Sequence, residues 1–185
     1  MPRQVLFIQG GGEGTHDHWD NKLVASLERD LGPDYEIGYP LMPGEDDPQY
    51  ERWKTALEQE LAKLDAGAIL VGHSFGGTIL ISALAEMTLA RSPGGLFMIS
   101  APFVGKGGWS IEDIPSLSNV GAKLPTDMAV YLYHGSEDTT VSIAHVDLYK
   151  KEIPDAIVRR LAGRDHQLND DLSDVAADIR RCAKS

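Results

Sequence analysis

A chain of 185 residues, 42% hydrophobic and 24% charged, has the size and balance of one globular domain, 1–185, and excludes a disordered or fibrous protein. Its 17 basic and 28 acidic side chains give a formal charge of −11, which repels nucleic-acid phosphates and anionic lipid, so neither nucleic acid nor membrane is expected as a partner. Cys182 is the lone cysteine, so no intrachain disulfide can form and a reducing, cytoplasmic compartment fits best.

Residues 5–8 form an apolar run too short for a signal-peptide core or a membrane span, and they predict the first strand. The glycine-rich stretch Gln9-Gly10-Gly11-Gly12-Glu13-Gly14 follows. Trp19, Leu23, Ala25, Leu27 and Leu31 then recur at helical spacing, in a helix expected to start near Asp17 with Trp19 in the core. A second strand is expected over 35–39, then a helix carrying Trp53, Leu57, Leu61 and Leu64. The third strand, 68–71, enters Gly72-His73-Ser74-Phe75-Gly76-Gly77 and a helix beginning near Gly76 and running through 79–89. After a fourth strand, 96–99, residues 101–125 are long and irregular. They either border the substrate pocket or form a surface excursion packing Trp109 and Ile111 against the sheet edge. Strands over 129–133 and 156–161 complete the set, with a last helix from Asp170.

Strand and helix alternate throughout, and the strands are near-continuously apolar. This predicts an α/β fold with a doubly wound, mainly parallel six-stranded sheet and helices on both faces. Active sites of such sheets lie beyond the carboxyl ends of the strands, so the segments following each strand carry the chemistry.

Gly72-His73-Ser74-Phe75-Gly76 satisfies G-x-S-x-G between a strand and a helix. Glycines two before and two after the serine leave space for a sharp turn that lifts its hydroxyl above the sheet. A serine hydroxyl needs a base to take its proton, and the base needs an acid to orient it. In the required chain order, Asp138 follows the fifth strand and His166 the sixth. Glu137 is the nearest competitor for the acid. Asp165 is a weaker one, because an adjacent residue seldom folds back onto its neighbour's imidazole. Oxyanion donors are expected from the Phe75 N–H and from Gly11, with Gly12 close behind.

Other groups have plainer roles. No frame through the first glycines satisfies G-x-G-x-x-G, and the chain carries no G-x-x-x-x-G-K-[ST], so no nucleotide cofactor is expected. His16-Asp17-His18-Trp19-Asp20 groups metal-ligating residue types without an equally dense second group, so no metal is expected. His73 and His134 flank the loops above and are expected to be structural hydrogen-bonding residues. Trp53 and Trp109 fit either core or pocket wall.

These motifs resemble the α/β-hydrolase fold, and more narrowly the small serine hydrolases related to retinoblastoma-binding protein 9 and YdeN. The likeness rests on the glycine-rich first loop followed by His18-Trp19, on Pro40-Leu41-Met42-Pro43 with Trp53 beyond, and on Gly72-His73-Ser74-Phe75-Gly76. His134-Gly135 with Asp138 and Val141, and His166, complete it. The resemblance implies a sheet without a large cap domain and hydrolysis through an acyl-serine intermediate. Gln9 departs from the histidine that many such hydrolases carry before the first-loop glycine. The expected function is hydrolysis of a carboxylic ester or related acyl bond of a small molecule, without cofactor. The rival from another class is a weakly active or non-catalytic binding module on the same fold.

Overall fold

The computed structural model describes residues 1–182. Six parallel strands, β1 (Arg3–Ile8), β2 (Tyr35–Gly38), β3 (Ile69–His73), β4 (Gly95–Ile99), β5 (Ala129–Gly135) and β6 (Ile157–Leu161), lie in the order β2-β1-β3-β4-β5-β6. All six match the expected runs to within a few residues at their ends. The order reverses between β1 and β3, and a crevice opens at such a switch point beyond the carboxyl ends of the two strands.

Strand side chains alternate between two cores because successive residues point to opposite faces. Leu6, Ile8, Leu70, Leu96, Met98 and Leu132 pack beneath α2 (Tyr50–Leu61), α3 (Ser74–Glu86) and α4 (Ala144–Glu152). Val5, Phe7, Val71, Phe97, Ile99 and Tyr133 pack beneath α1 (Asn21–Leu31) and α5 (Ser173–Cys182). Among the described residues no helix is long and apolar enough to cross a membrane.

Several local expectations are corrected. Trp19 is 53% exposed, with Lys22 Nζ over its ring, whereas Trp53 is fully buried. The reason is the wide-turned helical segment Thr15–Asp20 ahead of α1. Its turns are looser than those of an α-helix, so Thr15 and Asp20 face inward in place of Trp19. The expected start near Asp17 thus falls inside this segment. Helix α3 starts at Ser74, earlier than expected, and ends at Glu86. The last helix starts at Ser173 instead of Asp170, because Leu168, Asn169 and Asp170 all hold positive φ. Residues 101–125 do not pack at the sheet edge. They leave β4 inside the sheet and bury Phe103, Val104, Leu117 and Val120 in the core shared with α3, while Trp109 stands edge-on to His145 of α4.

Candidate active site

The turn after β3 folds as the local sequence requires. Ser74 has φ 50°, a left-handed conformation that costs a non-glycine residue energy and holds its side chain above the strand end. Position 76 must be glycine, because a Cβ there would lie 1.9 Å from the Gln9 carbonyl oxygen. The first residues of α3 therefore press directly against the end of β1.

Beyond β5 and β6 the structure brings the other two expected residues to this serine. His166 Nε2 lies 2.9 Å from Ser74 Oγ, and His166 Nδ1 lies 2.8 Å from Asp138 Oδ2. A carboxylate oxygen only accepts, so the proton of a neutral His166 sits on Nδ1 and leaves Nε2 free to accept from the hydroxyl. The two loops touch because position 135 is glycine; a Cβ there would meet the Arg164 carbonyl oxygen at 2.1 Å. Arg164 then pins the loop of His166, donating to the Leu168 carbonyl and to Asp171 at 2.9 and 2.7 Å.

Asp138 has a fully buried side chain. Burial alone would raise its pKa, but hydrogen bonds from His134, His166 and the Val141 N–H hold the carboxyl well below the usual carboxylate range. His134 Nε2 lies 3.1 Å from Asp138 Oδ2 and also donates to the Val141 carbonyl, while Oδ1 accepts from the Thr140 and Val141 amides. The competing acids are elsewhere. Glu137 is exposed, and the Asp165 carboxylate accepts from the Asn169 N–H.

Two acids to which the sequence assigned no such role organise the first loop. Asp20, completely buried, accepts from the Gly10 N–H at 2.7 Å and contacts His73 Nδ1 at 2.9 Å. Glu45 accepts from the amides of Gly14 and His16 and from Gln9 Nε2, and its own carbonyl accepts from Gly12. Gln9, the departure noted above, thereby ties the loop to Glu45 and, through Oε1, to the Met42 amide. Between the engaged amides of Gly10 and Gly12, the Gly11 N–H has no hydrogen-bond partner among the described residues. A Cβ on Gly11 would lie 3.5 Å from the Phe75 side chain, so the first loop packs against the start of α3. Both expected structural histidines, His73 and His134, do bond neighbouring groups.

No three His, Cys, Asp or Glu side chains group in a way that could hold a metal among the described residues. His16 instead stacks on Tyr39 and pairs with Asp17. A cavity of about 470 Å³, lined by Leu61, Leu64, Leu70, Met87 and Leu89 among others, lies at the amino ends of the strands, opposite Ser74.

A parallel six-stranded sheet without a cap, bearing a serine on a strained strand-to-helix turn, defines a minimal α/β-hydrolase. The family model described as serine hydrolase matches residues 5–146, and the chain belongs to that family. The match includes Ser74 and Asp138 and ends before His166. No curated protein matches the sequence. Among solved structures, the ydeN gene product from B. subtilis superimposes with a TM-score of 0.78 at 20% identity, covering 99% of this chain and 100% of that one. The esterase RhEst1 from Rhodococcus sp. ECU1013 gives 0.71 at 17% identity, over 100% and 91%. A serine hydrolase without lid from Xanthomonas campestris gives 0.67 at 17% identity, over 99% and 81%.

Proposed function

We propose that the chain hydrolyses a carboxylic ester or related acyl bond of a small molecule through an acyl-serine intermediate. The observation that carries this is the unbroken run from Ser74 Oγ through the His166 ring to Asp138, at 2.9 and 2.8 Å. Ser74 Oγ attacks the carbonyl carbon as its proton passes to His166 Nε2, and Asp138 stabilises the imidazolium without taking a proton. The tetrahedral oxyanion sits between the Phe75 and Gly11 amides. Phe75 lies in the first turn of α3, where amides have no partner within the helix and the helix dipole favours negative charge. Gly12 is the poorer second donor, since Glu45 already occupies its N–H. Collapse expels the alcohol with the proton from His166. Water, deprotonated by the same imidazole, then releases the acid and restores Ser74.

The esterase names of structural neighbours favour an ester over an amide as the first substrate to try. The acidic surface supports a small-molecule partner over nucleic acid or membrane, and the lone cysteine supports a cytoplasmic setting. The test is steady-state hydrolysis of a panel of phenyl esters of graded acyl length. Activity should fall by roughly 10³-fold or more in both Ser74→Ala and His166→Ala. Equal rates for wild type and Ser74→Ala would refute it and favour the binding-module alternative.

A further inference from the structure

His73, next to the nucleophile, has both ring nitrogens engaged by groups that only accept. Nδ1 lies 2.9 Å from Asp20 Oδ2 and Nε2 lies 3.1 Å from the His166 carbonyl oxygen. Asp20 Oδ2 also accepts from the Gly10 N–H, which fits the carboxylate form, so satisfying both ring contacts requires a proton on each nitrogen of His73. The geometry points to a buried ion pair, Asp20 with an imidazolium His73, that positions the three parts of the site. The ring sits on the nucleophile's turn, one nitrogen holds the loop of the base, and Asp20 holds the start of the oxyanion loop.

A stabilising role alone explains this poorly. Both side chains are essentially excluded from solvent, and a buried ion pair adds little net stability because desolvation offsets the attraction. Asp20 Oδ1 is moreover buried without a hydrogen-bond partner. The pair links residues 53 positions apart and connects through His73 to a backbone oxygen 93 positions away. Those are the segments whose mutual placement the proposed chemistry depends on.

The titratable groups facing His73 are Asp20 from the segment ahead of α1, Asp138 from the loop after β5, and the His166 ring, 5.0 Å away, from the loop after β6. Gly10 approaches it from the β1 side without charge. Burial disfavours its charged form, but the Asp20 charge and the hydrogen bonds to Asp20 and His166 outweigh this and raise its pKa above the ordinary histidine value. His73 is thus a positioning residue, protonated while the enzyme works. As pH rises through its raised pKa, it loses one donated proton and releases either Asp20 or the His166 carbonyl.

This rests on the proposed hydrolase chemistry, and the experiment separates the two. The pH profile of kcat for a phenyl ester is compared between wild type and Asp20→Asn, which retains an acceptor for Gly10 and His73 but no charge. The alkaline limb should move down by on the order of one pH unit or more, the acid limb should stay, and KM should change little. His73→Gln, with no titrating ring, should lose the alkaline limb and have a lower kcat throughout. An unmoved limb in folded Asp20→Asn, or wild-type kcat in His73→Gln, overturns the inference. Nitrogen-15 NMR of the wild-type histidines gives a readout that needs neither variant nor activity. Both His73 nitrogens should be protonated at pH 7, and a neutral ring there overturns the inference. A wild type inactive on every ester would instead overturn the hydrolase proposal, leaving the NMR result to judge the ion pair.

Discussion

Asp138 accepts more hydrogen bonds than an orienting acid strictly needs, and that surplus makes two expectations at the scale of single residues. In Asp138→Asn the amide can present its oxygen to His166 Nδ1 only by turning its NH₂ toward the Thr140 and Val141 amides, which are themselves donors. Either orientation leaves donors facing each other or favours the wrong imidazole tautomer. Steady-state kinetics should show kcat lower by roughly 10²–10⁴-fold with KM little changed. The second expectation concerns stability. Because the folded-state pKa of Asp138 is depressed, its carboxylate contributes stability that is fully present above the unfolded value near ~4 and is lost as pH falls below it. Urea unfolding of Asp138→Asn should therefore lose less stability between about pH 5 and pH 3 than wild type does. Ser74, Asp138 and His166 were legible in the sequence because chain order after successive strands constrains them. Asp20 and Glu45 were not. Their partners lie 53 and 36 positions away, and an acid in so acidic a chain carries no local mark of being buried.

Loops must approach each other closely for these residues to meet, and that closeness is set at the scale of elements. Gly135→Ala would drive a methyl group into the Arg164 and Asp165 carbonyl oxygens, at 2.1 and 2.5 Å, and neither backbone group can move without carrying His166 away. The substitution should cost about 3 kcal/mol or more in urea unfolding and most of the proposed hydrolytic activity. Gly163→Ala is the control. Its φ of +70° strains an alanine, yet nothing lies within 4 Å, so a cost of about 1 kcal/mol with activity retained is expected. The strands were legible because runs of apolar residues between turn signals have few alternatives. The misplaced Trp19 shows the limit of periodicity, since a change in turn width over Thr15–Asp20 rotates every later side chain while the residue pattern stays the same. Residues 101–125 defied placement for a different reason. Where they pack depends on β4 being interior, which only the strand order reveals.

For the whole molecule, two apolar layers hold the sheet while the surface carries an excess of negative charge. Phe97, fully buried and stacked on Tyr131 with ring centroids 4.5 Å apart, anchors the layer beneath α1 and α5. Phe97→Ala should cost about 3–5 kcal/mol in urea unfolding. A formal charge of −11 is self-repelling, so the thermal midpoint at pH 7 should rise as salt is added from ~0.01 to ~0.15 M, where screening shortens the reach of that repulsion. The reversal of strand order between β1 and β3 then brings the loop of Gly10 and Gly11 against Ser74 and Phe75.

The central claim is that Ser74 is an activated nucleophile, and its most direct test is reaction of the folded protein with a fluorophosphonate, followed by peptide mapping in the mass spectrometer. One adduct on Ser74 is expected in wild type, absent in Ser74→Ala and formed far more slowly in His166→Ala. A wild type that is folded yet unlabelled, or an adduct that maps to another residue, would contradict the account.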